Sequence, residues 1–372
     1  MKIAYVITRA DAVGGASIHV RDLARAMLER GHVVMVYVGG RGPVTEQFQA
    51  AGVPFNALRL LRRPIRPLKD LFAIRELSAA LREFRPEILS LHTAKAGWIG
   101  RAVAANLRVP AIYTPHGWSL GGRFPAPAGF LFRWAEKTAA RWAKAIVCVC
   151  QYERDLALQK GVAGPERLHV VYNAVHDIPS ELRARPGTAA PLRIVSVARL
   201  DAPKDHATLL RALASLPAGD WLLDLVGDGP LENHLRSLAI GLGIDARVSF
   251  LGYQSDPAKT LAQAGVFVLS SRSEGFPRSV LEAMRAGLPI VASRVGGVPE
   301  AFAEAINGFL VPAGDAIALT AALSRLLEDR DFRMRLGAEA RRTYEERFRF
   351  ERLAAETEAL YHAVLSSLRH SH

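Results

Sequence analysis

Short continuous apolar runs alternate with amphipathic stretches along most of this chain. Residues 2–8 (KIAYVIT), 32–38, 87–91, 111–115 and 145–149 read as strands. Between them, residues 17–30 carry Ile18, Leu23, Ala26 and Met27 at helical spacing, and Gly31 follows as a stop. Further helices are expected at 69–83, 96–107 and 129–142. The alternation then repeats, with strands at 193–198, 221–227, 247–252, 266–270 and 289–293 and helices in most of the gaps. Helical patterns at 315–345 and about 350–368 close the chain. Strands that are apolar without alternation, each followed by a helix, indicate parallel sheets covered on both faces.

The chain has 372 residues, half of them hydrophobic and 23% charged, enough for two ordinary cores. The reading is an N-terminal domain over 1–175, a polar, Pro- and Ala-rich linker over 176–191, and a C-terminal domain over 192–349. The segment 350–372 is expected to pack back on the first domain. The two cysteines, Cys148 and Cys150, form no disulfide framework. They read as buried small residues on one face of the strand within 146–150, which fits a reducing cytosol. Residues 2–8 are too short for a signal core, because Arg9 and Asp11 end the run, and no run approaches a membrane span. The expected location is cytoplasmic, or peripheral on the inner membrane face. Charge is uneven. Residues 1–186 hold 27 Lys and Arg against 14 Asp and Glu, and the remainder 21 against 22.

Open parallel sheets bind ligands beyond the carboxyl ends of their strands, so motifs there carry functional weight. The first strand is followed by neither GxGxxG nor GxxxxGK[ST], which weakens readings as an NAD enzyme or an NTPase. The strongest local signal is 270–282, SSRSEGFPRSVLE. Glu274 lies on the loop after a strand, a helix starts near Arg278, and Glu282 lies on that helix. The amides of Ser279, Val280 and Leu281 stand near a helix N-terminus, where phosphate is attracted. The carboxylates could hold separate hydroxyls of one long ligand, or be two solvated glutamates of a surface helix.

The E-x7-E spacing around Gly275-Phe276-Pro277 resembles the signature of retaining glycosyltransferases of family four. The likeness continues in Gly14-Gly15, His116-Gly117, Val197-Ala198-Arg199-Leu200 with Lys204, Gly227-Asp228-Gly229-Pro230, Phe250-Leu251-Gly252, Gly287-Leu288-Pro289 and Gly296-Gly297-Val298-Pro299-Glu300. It implies a GT-B fold: two Rossmann-like, doubly wound parallel-sheet domains facing a central cleft. It also implies roles. Glu274 contacts donor-sugar hydroxyls near the reacting carbon, Glu282 holds the ribose, and Arg199 and Lys204 grip the diphosphate. Gly252 and Tyr253 lie along the base. Phe276 and Pro277 lend backbone N–H groups to the sugar or phosphate, with Gly275 in the same turn. His116 sits at the sugar–acceptor junction, and Gly15 lets backbone approach the phosphate. Asn173 is read as structural. Asp205, where the family often has Gly or Asn, is read as a helix cap.

The chemistry supports the two cations. Sugar transfer leaves negative charge on a departing nucleoside diphosphate, and fixed cations can stabilise it in place of a metal. No metal or other cofactor is expected beyond the nucleotide-sugar co-substrate. Asp329-Arg330-Asp331 matches the DxD pattern of metal-dependent transferases but lies between helical segments, and no His/Cys/Asp cluster shows ligand spacing along the sequence. His92 and Thr93 end another strand as weaker candidates.

On the acceptor side, 59–69 (RLLRRPIRPLK) sets Arg59, Arg62, Arg63, Arg66 and Lys69 among leucines and prolines. It fits an anionic membrane surface or a solvated loop. The apolar, Gly- and Pro-rich stretch 118–132 fits an acceptor pocket, a lipid-facing edge or a core cap. The expected function is transfer of a sugar, as from a UDP-sugar, to a sugar or lipid-linked acceptor in cell-surface polysaccharide, lipopolysaccharide or glycolipid synthesis. Two other readings stay open. One is a nucleotide-sugar epimerase of the same fold. The other is a basic nucleic-acid-binding protein, disfavoured because 59–69 has no aromatic platform.

Overall fold

The structure, a computed structural model, describes residues 1–118, 126–187, 191–217, 220–302 and 306–369. The chain forms two compact units. One comprises Met1–Tyr172 with the chain from Leu353 onward, and the other Asn173–Arg352.

The first unit contains seven strands: β1 (Lys2–Ile7), β2 (Val33–Gly39), β3 (Phe55–Leu58), β4 (Ile88–His92), β5 (Ala111–Thr114), β6 (Ala145–Cys148) and β7 (Leu168–Val170). They form one parallel sheet in the order β3-β2-β1-β4-β5-β6-β7. Five of six residues in β1 and every residue of β4, β5 and β6 are buried, which is why their sequences run apolar without alternation. The order reverses between β1 and β4, so the loops after these strands diverge and open a crevice.

The second unit holds β8 (Leu192–Val197), β9 (Trp221–Val226), β10 (Val248–Gly252), β11 (Val266–Leu269), β12 (Ile290–Ser293) and β13 (Gly308–Val311), all parallel, in the order β10-β9-β8-β11-β12-β13. Its reversal lies between β8 and β11. Ile194, Leu223, Val268 and Val291 centre its core.

The edge strand β10 was read at 247–252, whereas the edge strands β3, β7 and β13 are short and were not legible in the apolar pattern. Helices Pro43–Ala50 and Gln151–Gln159 were likewise missed. The cysteine reading needs correction. Both cysteines are buried and neither forms a disulfide, but β6 ends at Cys148 and Cys150 is the N-cap of the next helix. Burial pushes the Cys148 thiol up to about 12, so it is inert. The stretch 176–191 does not run loose where it is described. Ala184 N–H donates to Ala286, Arg285 to the His176 carbonyl, and Arg341 makes a two-pronged pair with Asp177 at 2.7 and 2.8 Å. Residues 188–190 of that stretch, and 119–125 of the apolar stretch 118–132, lie outside the described residues. From Ala126 the latter is helix Ala126–Ala140.

Candidate functional site

In the second unit the β8/β11 reversal brings two loops together. The loop after β8 carries Arg199 and a 3-10 turn, Ala202–Lys204. The loop after β11 carries Ser270 to Pro277. The Ser270 hydroxyl is 3.1 Å from the carbonyls of both Lys204 and Asp205, and Arg272 N–H donates to the Pro203 carbonyl. Across this seam Lys204 Nζ meets Glu274 Oε1 at 2.6 Å, and the Ser271 hydroxyl donates to the same oxygen at 2.6 Å. The Glu274 side chain is only 9% exposed, and that of Lys204 24%. A cation and a carboxylate 70 residues apart in sequence thus form one unit at the carboxyl edge of the sheet. Arg199 stands on the same loop, exposed and 3.4 Å from Asp201.

Glycine makes the floor possible. At Gly296, φ is +55°, and a Cβ would lie 2.0 Å from the Glu274 carbonyl oxygen. Gly297 N–H donates to the Gly275 carbonyl. At Gly227, φ is +144°, and a Cβ would lie 2.0 Å from the Ala198 carbonyl. Side chains at either position would push the β8 or β11 loop away. Gly227 N–H also donates to the Gly252 carbonyl, which places Gly252 and the half-exposed Tyr253 beside the same loops.

Helix Arg278–Ala286 begins directly after Glu274-Gly275-Phe276-Pro277, so its first amides, including Ser279 and Val280, have no intrahelical acceptor. Pro277 is the N-cap and has no N–H, which removes the backbone donation expected of it. Phe276 is buried against Phe348, and Asn173 Nδ2 donates to its carbonyl at 3.0 Å, so Asn173 holds the turn. Glu282 lies one turn into the helix, half-buried. Asp205 occupies the N-cap position of helix His206–Ala214, but its carboxylate caps no amide. It takes the Thr208 hydroxyl at 2.8 Å and Arg272 at 2.8 Å, so it braces the seam instead. Asp329 accepts from Phe332 N–H as the cap of helix Arg330–Arg347, which explains the DxD pattern structurally.

His206, the first residue of its helix, is buried, and burial followed by the nearby Lys204 charge pulls it down to about 4. The unfolded chain takes up a proton near 6.5 that the folded protein refuses. Stability is therefore full above pH 6.5 and falls as pH drops toward 4, by about 3 kcal/mol. His206→Gln is expected to flatten the dependence of melting temperature on pH between 7 and 4.5. A slope equal to wild type contradicts this.

In the first unit the β1/β4 reversal gathers a second group. Gly14 and Gly15, both exposed, start helix Gly15–Glu29 beyond β1. His19 on that helix, His92 at the end of β4 and His116 beyond β5 converge, with one nitrogen of each within 4.8 Å of the others. Spacings of 73 and 24 residues hide this cluster in the sequence, which had suggested no such grouping. His92 Nδ1 and His116 Nε2 are 2.9 Å apart, and His19 stands edge-on to His116 at 4.7 Å. Thr93 and His116 both have positive φ, +73° and +56°. For a β-branched residue this is a true outlier, and such strain of about 1–3 kcal/mol concentrates at functional positions.

Residues 13–177 match the family described as Glycosyltransferase Family 4, and residues 181–343 match Glycosyl transferases group 1. The UDP-Gal:alpha-D-GlcNAc-diphosphoundecaprenol alpha-1,3-galactosyltransferase of Escherichia coli is 24% identical over 306 residues, 78% of each chain. The N-acetyl-alpha-D-glucosaminyl L-malate synthase of Bacillus anthracis is 26% identical over 386 residues, 98% of each chain. Among solved structures, Anabaena Alr3699/HepE in complex with UDP and glucose shares the fold with a TM-score of 0.85 at 24% identity, covering 98% of this chain and 100% of that one. With matches to the two family descriptions falling one on each half, and two parallel-sheet units beneath them, the chain belongs to the group 1, family 4 glycosyltransferases and has the GT-B fold.

Proposed function

We propose that this enzyme transfers a sugar, with retention of configuration, from a UDP-sugar to a sugar or lipid-linked acceptor, and needs no divalent metal to do so. The observation that carries the proposal is the Lys204–Glu274 contact at the β8/β11 reversal, on the loop that leads into the N-terminus of helix Arg278–Ala286. Lys204 and Arg199 would take the diphosphate, displacing Lys204 from Glu274. The released carboxylate would then accept from donor-sugar hydroxyls. Glu282 would hold the ribose, Tyr253 would lie along the base, and Gly275 and Phe276 would line the phosphate turn. His116 would meet the sugar where the acceptor joins, and Gly15 would let backbone approach the phosphate. The Escherichia coli relative's name pairs a UDP-sugar with a diphosphoundecaprenol acceptor, which supports a donor and acceptor of these classes. Thermal denaturation with UDP-, GDP-, ADP- and dTDP-sugars tests the donor. A saturating ligand should stabilise by about 2–3 kcal/mol at 100 times Kd, and the UDP-sugars are expected to do so in EDTA. Stabilisation only by another base, or only with Mg2+ or Mn2+, contradicts the proposal.

An anionic membrane would present a lipid-linked acceptor. No helix among the described residues is long and apolar enough to cross a membrane. Residues 59–66 precede helix Pro67–Phe84, and Ile65, Leu68, Leu71 and Phe72 are exposed beside Arg59, Arg62, Arg63, Arg66 and Lys69. Apolar side chains among cations suit an acidic headgroup layer. The protein should sediment with phosphatidylglycerol vesicles and not with phosphatidylcholine, and Leu68→Asp with Ile65→Asp should abolish this. Equal sedimentation of the variant would remove the segment from the account.

A further inference from the structure

Four side chains in the first unit form an unbroken chain of hydrogen bonds ending at His116. Tyr361 OH donates to Ser90 Oγ at 2.9 Å, Ser90 Oγ lies 2.9 Å from His92 Nε2, and His92 Nδ1 lies 2.9 Å from His116 Nε2. Ser90 and His92 stand two apart on β4, so both face the same side of the sheet. Tyr361 comes from the last helix, which belongs to the first unit from Leu353 onward. Tyr361, Ser90 and His92 are each only 1% exposed. The His92 and His116 ring centroids are 5.1 Å apart with planes 25° from parallel. With the facing nitrogens 2.9 Å apart, those nitrogens lie between the rings. The contact is an in-plane hydrogen bond, not a face-to-face stack.

The protons can be counted along this chain. Burial, followed by the proximity of His116, holds His92 well below the ordinary histidine range, so it is neutral and carries one proton. Tyr361 spends its proton on Ser90, since the alternative acceptor, Tyr5 OH, is 3.5 Å away. Ser90 then directs its own proton to His92 Nε2. The His92 proton must sit on Nδ1, facing His116 Nε2. A neutral His116 therefore accepts at Nε2 and carries its proton on Nδ1.

We infer that His92 is a positioning residue that fixes the tautomer of His116, and that Tyr361, reaching in from the C-terminal helix through Ser90, sets the direction of the chain. In this arrangement His116 offers Nδ1–H as a donor, suited to a sugar hydroxyl oxygen. That consequence rests on the place given to His116 in the proposed transfer, whereas the tautomer itself does not.

The test is nitrogen-15 NMR of the full-length protein labelled at histidine, combined with steady-state kinetics. Wild type should show His116 protonated at Nδ1. His92→Asn keeps an amide N–H where the imidazole Nδ1–H stood, and should preserve both the tautomer and kcat. His92→Leu and Tyr361→Phe should give mixed tautomers and lower kcat about tenfold or more, with KM for the nucleotide sugar unchanged. An Nε2-protonated His116 in wild type, or an unaltered tautomer in both disruptive variants, overturns the inference. A shifted tautomer with unchanged kcat leaves the hydrogen-bond chain standing and overturns the catalytic place given to His116.

Discussion

Lys204→Ala is expected to lower kcat for sugar transfer about 10³-fold, the scale of removing one fixed group that stabilises charge arising in a transition state. Lys204 is the cation at the β8/β11 seam that touches Glu274. It pairs with a carboxylate that is 9% exposed, and in the proposed complex it turns to the departing diphosphate. Glu274→Ala should cost a similar factor by another route, because it removes the proposed acceptor for donor-sugar hydroxyls while leaving Lys204 in place. The two effects should fall well short of additive, since the two side chains touch each other and are proposed to act on one donor. Both variants should stay folded, because Ser270 and Arg272 still join the two loops by backbone and hydroxyl bonds. Circular dichroism and melting curves check folding. Turnover within threefold of wild type in either folded variant contradicts the assigned role.

Glu136→Ala is expected to produce the largest loss of stability, about 3–5 kcal/mol, because it strands a buried guanidinium without its counter-charge. Arg101 and Glu136 are both fully buried and pair at 2.9 Å. Arg101 Nε also donates to the Gly97 carbonyl, its guanidinium lies 4.1 Å over the Tyr113 ring, and Trp98 Nε1 donates to Glu136. This network locks helix Ala94–Leu107 to helix Ala126–Ala140, directly beside the strand that leads to His116. Replacing both charges together, Arg101→Met with Glu136→Leu, should recover most of the loss, since apolar substitutes need no partner. Urea denaturation reads both. A single variant within about 1 kcal/mol of wild type would mean the pair matters little to the fold.

The central strands of both sheets were legible to within a residue or two, because burial on both faces leaves a continuous apolar run. Of the edge strands, Val248–Gly252 was read but Phe55–Leu58 was not, since its four residues include the exposed Asn56 and form no apolar run. The sequence also marks Lys204 and Glu274 as residues beyond strand ends. It does not say that β8 and β11 are neighbours, and only that neighbour relation brings the two side chains together. The histidine cluster was less visible still. His92 and His116 follow strand ends, His19 lies on the helix after β1, and Tyr361, which reaches His92 through Ser90, sits in a helix whose own pattern shows only an apolar face. Pro277 shows the opposite failure: a motif assigned it a backbone donation that its ring forbids, and the donors must come from the helix that follows.

Calorimetric titration of UDP into wild type and into the Arg199→Ala, Lys204→Ala double variant, both in EDTA, tests the central claim most directly. Wild type should bind without added metal. The double variant should lose about 100-fold or more in affinity, since charge-assisted contacts contribute about 1.5–3 kcal/mol each, while its weak binding of uridine is unchanged. Equal UDP affinity in the two proteins, or binding by wild type only when Mg2+ or Mn2+ is restored, would contradict a diphosphate held by these side chains.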